Sequence, residues 1–176
     1  MPKAHVFLFK DFQFNLFVSH VHCIEVAFSD EKLDSVGLST AASVHEDLGI
    51  QGITKIRYSE AYCLDLSPAM TEKQAKAIAE KVILDPISQK YSLNKNLFPD
   101  FDFLIEVKFH PDVTDNLAIV TQEAIEDFLG KKVEGKIVTS RKYYIYGSIG
   151  KQEAEKIAGG LLANGIIETY KIEAGK

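Results

Sequence analysis

His20 and His22 are separated by one residue, so an extended backbone puts both imidazoles on one face, as the start of a metal site would. Such a site takes three or four ligands and a supporting shell. Nothing nearby in sequence completes it, and Cys23 points to the opposite face, so a solvated or edge pair of histidines is the plainer reading. Gly147-Ser148-Ile149-Gly150-Lys151 resembles a phosphate loop, yet only two residues separate its glycines, and Gln152 stands where a Ser or Thr should hold magnesium. Capping of a helix start accounts for it better. Glu25 and Glu106 occupy equivalent strand positions and could meet across a two-fold axis, where paired carboxylates raise each other's pKa. The polar phase of an alternating strand is the commoner reading of such residues. Tyr62, Tyr143, Tyr144 and Tyr146, with Arg141 and Lys142 beside them, offer a stacking surface or ordinary sheet packing with hydroxyls at a wet edge. No Ser-His-Asp, Cys-His or acid pair recurs in a way that requires catalysis. The residues therefore point to a binding or assembly module.

The elements that carry these residues occur twice. Ile24-Glu25-Val26 returns as Ile105-Glu106-Val107, and the same offset of 81 positions carries Asp34 onto Asp115, Leu48-Gly49 onto Leu129-Gly130, and Ser59 and Tyr62 onto Ser140 and Tyr143. Beyond a two-residue deletion the offset is 79, matching Ile78-Ala79 to Ile157-Ala158 and the Asp85–Tyr91 segment to Asn164–Tyr170. Units of this length exceed those of a solenoid, so the duplication predicts a fused pseudo-dimer with a two-fold axis between its copies.

Each unit opens with an alternating strand, Cys23 to Phe28 and Phe103 to Phe109. Asp34 and Asp115 then cap a first helix, which stops at Gly49 or Gly130. Two strands follow, Ile53 to Tyr58 with Ala61 to Leu66, and Lys136 to Arg141 with Lys142 to Tyr146. Thr71 and Gln74 form a capping box for a second helix presenting Ala75, Ile78, Ala79 and Val82. Its twin presents Ala154, Ile157, Ala158, Leu161 and Leu162, interrupted by Gly159 and Gly160 through weakness or close backbone approach. Asp85-Pro86 and Asn164-Gly165 lead into the closing strands, Ile87 to Leu93 and Ile166 to Glu173. The order β-α-β-β-α-β predicts an α+β fold of two ferredoxin-like units, 23–94 and 103–173, with a linker at 95–102. Residues 1–22 form an extension in which Phe12, Phe14, Leu16 and Val18 alternate as an extra strand with no counterpart before the second copy.

At 176 residues, 46% of them hydrophobic, the chain sustains a real core, and no apolar run suggests a membrane span. A formal charge of −5 argues against a nucleic-acid module, leaving Lys131-Lys132 and Lys136 as a solvated loop. Cys23 and Cys63 read as buried, inert thiols and fit a cytoplasmic protein; the N-terminus lacks the features of a secretory signal.

The segment Ile105-Glu106-Val107-Lys108-Phe109-His110-Pro111-Asp112-Val113-Thr114-Asp115-Asn116 resembles the opening of the PurS family, the small subunit of phosphoribosylformylglycinamidine synthase. Units of that family begin with a strand and a Pro-Gly-Val-x-Asp-Pro-x-Gly turn. Pro111, Val113 and Asp115 match it; Asp112, Asn116 and Ala118 replace its glycine, proline and glycine, and the first unit keeps only Asp34 and Gly37. The run Leu161-Leu162-Ala163-Asn164-Gly165-Ile166-Ile167-Glu168 is similar to the family's closing Leu-Leu-Ala-Asn-Pro-x-Ile-Glu, with Gly165 for proline, and Leu84-Asp85-Pro86-Ile87-Ser88-Gln89 is similar to a variant of it.

PurS subunits act as dimers, and the large single-chain synthase resembles a fusion whose N-terminal domain stands in for that dimer. The resemblance implies that this chain corresponds to that domain, as a free subunit or as part of a longer protein. It implies a non-catalytic role in assembling the synthetase and glutaminase parts of an ATP-dependent, glutamine-using C–N ligase of purine biosynthesis, with no cofactor or metal of its own. Asp34, Gly49, Asp85, Pro86, Pro111, Asp115, Gly130, Asn164 and Gly165 are then structural turn residues, and Arg57 and Arg141 candidates for contact with an anion or partner. The alternative on the same element order is a free-standing tandem ACT-like module that binds a small effector between its units.

Overall fold

The computed structural model describes residues 21–175, so the proposed strand at Phe12–Val18 lies outside the described residues, as does His20. Six strands, β1 (His22–Phe28), β2 (Ile53–Ser67), β3 (Gln89–Leu93), β4 (Phe103–Phe109), β5 (Glu134–Gly147) and β6 (Glu168–Ala174), form one open antiparallel sheet in the order β3-β1-β2-β5-β4-β6. Four helices, α1 (Ser35–Glu46), α2 (Glu72–Ile78), α3 (Asn116–Leu129) and α4 (Lys151–Ile157), complete an α+β architecture. None of the described helices is long and apolar enough to cross a membrane.

Where the sequence pattern reads two short strands per unit, the structure has one long strand. A return at Ser59-Glu60 or at Arg141-Lys142 would need a turn former, and neither place has a Gly, Pro or Asn. Alternation runs through both, and β2 and β5 pair along nearly their whole length, from Ile53↔Gly147 to Ser67↔Glu134.

The consequence is an exchange of partners between the halves. One core joins Ile24 and Val26 of β1, Tyr62, Leu64 and Leu66 from the end of β2, Ile78 and Ala79, and also Ala118 and Ile125 of α3. The other joins Ile105 and Val107 of β4, Tyr143 and Ile145 from the end of β5, Ile157, Ala158 and Leu162, and also Val44 of α1 with Ile53 and Ile56 from the start of β2. Each core thus holds the first helix of the other unit. Ile125 and Ile157 are fully buried, and a side chain of that size stabilises by ~1.5–3 kcal/mol on leaving water. All four helices lie on the sheet face that these residues share.

Local structure repeats at the sequence offset. Ile24 pairs with Tyr62 as Ile105 pairs with Tyr143, and Val26 pairs with Tyr91 as Val107 pairs with Tyr170. Asp34 accepts from the Gly37 N–H at 2.8 Å and Asp115 from the Ala118 N–H at 3.0 Å. Gly49 and Gly130 take the left-handed backbone, φ 66° and 65°, that lets each first helix stop. Asp85 and Asn164 accept from the N–H two residues on, closing the turns in which Pro86 and Gly165 stand, and the closing strands begin later than the pattern suggests, at Gln89 and Glu168. Pro111 lies in an exposed turn before α3. Thr71 and Gln74 make the expected capping box. Both second helices widen into a π turn, Ala79–Ile83 and Ala158–Leu162, closed by 2.9 Å bonds from the Leu84 and Ala163 N–H groups.

Two further readings are corrected. Residues 95–102 are more than a connector: Phe98 and Phe101 form a small core with Ala27, Leu104 and Tyr144 on the face opposite the helices. Cys23 and Cys63 are not free thiols, because β1 and β2 set them directly opposite each other and a disulfide joins them.

Candidate functional site

On the open face β1, β2 and β5 build a buried polar cluster around Glu25, which is 2% exposed. Its Oε1 accepts from Ser59 Oγ at 2.7 Å and from Tyr144 Oη, and its Oε2 accepts from Lys142 Nζ at 2.8 Å. Lys142 also donates to Asn96 Oδ1 at 3.2 Å, so the 95–102 segment closes over the ion pair. The cluster exists because Lys142 projects diagonally across the small Ala61 to reach a carboxylate two strands away. Burial, and then the charge of Glu25, push the Tyr144 hydroxyl above its ordinary range, making it a neutral donor. A carboxylate bonded by this many donors is fixed in place.

Arg57 lies nearby, 7% exposed. Its Nε donates to Asp34 Oδ2 at 3.0 Å, its Nη2 to the Phe28 carbonyl at 2.7 Å, and its guanidinium stacks 4.3 Å from the centre of the Phe98 ring. Asp34 does more than cap α1, since it also accepts from the Tyr58 N–H at 2.8 Å and so ties the helix to β2. Arg57 is therefore spent inside the protein, and it has no open approach for the outside anion or partner expected of it.

Arg141 lies on the helix face. Its Nη2 donates to Glu168 Oε1 at 2.6 Å and to the Leu162 carbonyl at 3.4 Å, and its side chain remains 38% exposed. It borders an open cleft of about 180 Å³ with Ser39, Thr40 and Ser43 of α1, Tyr143, Leu161 and Leu162. A second hollow, about 350 Å³, lies at the end of β2 against Asp65, Ala69 and Lys136. Beside Arg141 in the ladder is Glu60, which accepts from Tyr58 and Tyr62 at 3.2 and 2.8 Å. Burial first, then Glu60, raises both tyrosines above their ordinary range.

The remaining sequence candidates scatter. Tyr62 and Tyr143 face the helices while Tyr144 and Tyr146 face the other way, so they make no common stacking platform. Glu25 and Glu106 do not meet: β2 and β5 stand between their strands, and Glu106 has its own bond from Ser140 at 2.7 Å. His22 bonds the Met70 carbonyl at 3.0 Å and Asn94 at 3.2 Å; among the described residues no group of three or more His, Cys, Asp or Glu is placed to hold a metal ion. The Gly150 N–H donates to Glu153 at 2.8 Å, so a carboxylate of the chain itself occupies the α4 start where the phosphate-loop reading would put a ligand. Lys131, Lys132 and Lys136 are exposed, as expected of a solvated cluster, and Lys132 pairs with Glu126 at 2.6 Å.

Compared with protein-family models and with curated proteins, the chain matches none.

Lys142, Asn96, Glu60 and Glu168 escape a reading that looks for likeness between the units. The signal that marks Lys142 and Glu60 is the reverse. Inside otherwise matching strands the offset sets Lys142 against Ala61, Tyr144 against Cys63 and Arg141 against Glu60.

Proposed function

We propose that the chain is a non-catalytic assembly module of the PurS type, doing in one chain what a dimer of such subunits does. The β2–β5 ladder carries this reading. Glu60 and Arg141 stand 81 positions apart and pair with each other, as they would if a two-fold relating the units ran through that pair. Along each half of the sheet the strands then follow the ferredoxin-like order, with the second strand supplied by the other unit: β3, β1, the end of β2, the start of β5 in one half, and β6, β4, the end of β5, the start of β2 in the other. Together with the PurS-like turn and closing segments, this favours an intramolecular pseudo-dimer. Its partners on this reading are the synthetase and glutaminase parts of phosphoribosylformylglycinamidine synthase, and its own contribution is surface.

Apolar residues exposed at matching places in both units suit that role. Ile87 and Ile166 are 94% and 86% exposed, and Val36 and Leu38 of α1 match Leu117 and Ile119 of α3. Single exposed apolar residues are ordinary, whereas recurrence on both sides of a two-fold marks contact surface. The test is glutamine-dependent ligation by the organism's synthetase and glutaminase, with and without this chain, alongside the native mass of the mixture. Joining the complex and restoring activity is the expected result; a chain that stays apart without effect overturns it. Arg141→Gln, which removes the charge without setting a carboxylate beside Glu60 and Glu168, weakens assembly or ligation while circular dichroism shows the fold intact. Unchanged kinetics and complex mass in that variant remove Arg141 from the contact.

The cleft beside Arg141 favours a second reading, an ACT-like module that binds a small effector between units, since α1 and β5 come from different copies. A bound effector raises the melting temperature with RT ln(1 + [L]/Kd), so a thermal-shift screen of free amino acids discriminates between the two readings.

A further inference from the structure

Among the described residues, the open face of the sheet is unevenly covered. Under the 95–102 segment Ala27, Arg57, Leu104 and Tyr144 are all buried. At the 81-residue offset their counterparts in the other half are Lys108, Val138, Cys23 and Cys63. Lys108 is exposed and the other three are half-buried. The cover in the first half comes chiefly from Asn96-Leu97-Phe98: Asn96 receives Lys142, and the Phe98 ring stands edge-on to Tyr144 at 5.2 Å, with Arg57 over its face.

The same tripeptide, Asn15-Leu16-Phe17, occurs 81 positions earlier. The repeat therefore begins ahead of the first strand, and the Phe-rich extension has a counterpart before the second copy, contrary to the expectation drawn from its alternation alone. The segment before β4 covers the half of the open face that contains Tyr144. The two-fold that exchanges β4 with β1 carries that cover onto the half that contains Cys63.

We propose that Asn15-Leu16-Phe17 covers this second half, with the Phe17 ring seated against the Cys23–Cys63 disulfide and Val138 as Phe98 is seated against Tyr144 and Arg57. The chemistry of the two seats differs in a consistent way. Phe98 lies among cations, with Lys90 Nζ 4.7 Å from its centre. The counterparts of Arg57 and Lys90 are Val138 and Thr169, so the second seat presents a branched alkyl group and two sulfurs, which pack well on an aromatic ring. A strap on each half would leave both cores covered on both faces.

The chain contains no tryptophan, so Phe17→Trp supplies a single indole reporter in the full-length protein. Seated as proposed, its emission is blue-shifted relative to the same variant in denaturant, and iodide quenches it several-fold less. The neighbouring disulfide also dims it, so adding Cys23→Ser and Cys63→Ser brightens it. Val138→Asp, checked for intact fold by circular dichroism, returns emission and quenching toward the denatured values. Emission and iodide quenching equal to those of the denatured variant overturn the proposal. Unchanged brightness in the double serine variant overturns the seat beside the disulfide, and protection lost on dilution assigns the cover to another molecule and overturns the intramolecular strap.

Discussion

Glu25 and Glu106 stand at matching positions of β1 and β4, and each takes a serine hydroxyl at 2.7 Å. The likeness ends there. Around Glu25, Lys142 and Tyr144 add an ion pair and a third bond, whereas the residues offset from them, Ala61 and Cys63, give Glu106 no such partners. Two identical chains could not differ in this way, since every gain on one side of a two-fold is copied on the other. The same holds on the axis. A symmetric dimer would set residue 60 beside its own copy, and like charges on neighbouring strands repel; this chain sets Glu60 beside Arg141. Within this one chain, one half of the sheet carries a buried ion network while the other stays simple.

The sharpest way to break this comparison is at the helix starts. Asp34→Ala leaves the Arg57 guanidinium buried and unpaired, which costs about 3–5 kcal/mol. Among the described residues Asp115 serves only backbone N–H groups and the Thr139 hydroxyl, so Asp115→Ala costs about 1–2 kcal/mol. Urea denaturation of both variants checks this, and equal losses would mean that the charge adds nothing to the cap. Lys142→Met comes next. It strands Glu25 without its cation, an expected loss of about 3 kcal/mol, and adding Glu25→Gln restores much of it. Glu106→Gln, at a site with a single neutral donor, costs about 1 kcal/mol or less. A double variant no more stable than Lys142→Met alone would remove the ion pair from the explanation.

Gly37 sharpens the contrast at the same place. A Cβ there would stand 2.5 Å from the Ile56 carbonyl oxygen, part of the rigid strand that Asp34 holds against α1. Gly37→Ala must push the helix off the strand, at about 1–3 kcal/mol. Its counterpart is Ala118, buried and accommodated, so Ala118→Gly costs only up to ~1 kcal/mol of helix propensity. Thermal unfolding of the two variants ranks them; a neutral Gly37→Ala would mean that α1 sits no closer to its strand than α3.

The caps at Asp34 and Asp115 and the stops at Gly49 and Gly130 were legible because each rests on residues close together in sequence. The exchange between halves was not. Alternation across Ser59-Glu60 reads the same whether the chain turns back or runs on, and only the absence of a turn former favoured running on. Lys142 and Glu25 were illegible for a different reason. They lie 117 positions apart and meet diagonally across a third strand, so no local period links them. The disulfide fell between these cases: its cysteines were visible, but their facing register depends on how β1 pairs with the far half of β2.

The smallest effect concerns Gly159 and Gly160, which occupy the π turn after α4 where the first unit has Glu80 and Lys81. The first unit closes the same turn at the same 2.9 Å with ordinary residues, so the turn itself does not require glycine. Nor does packing require it at Gly160, where a Cβ would meet only Leu48 Cδ2 at 3.8 Å. Gly160→Ala therefore stabilises the chain by up to ~1 kcal/mol, the helix-propensity difference between the two residues. At Gly159 the new methyl meets Tyr170 Oη at 3.4 Å, close enough for the phenol to have to give, and the gain shrinks toward zero. Differential scanning calorimetry of the two single variants separates these outcomes. A gain at Gly160 but not at Gly159 makes the first glycine a packing residue beneath Tyr170 and the second a tolerated weakness; a loss at both would mean that the second unit's turn needs a freedom the first unit does without.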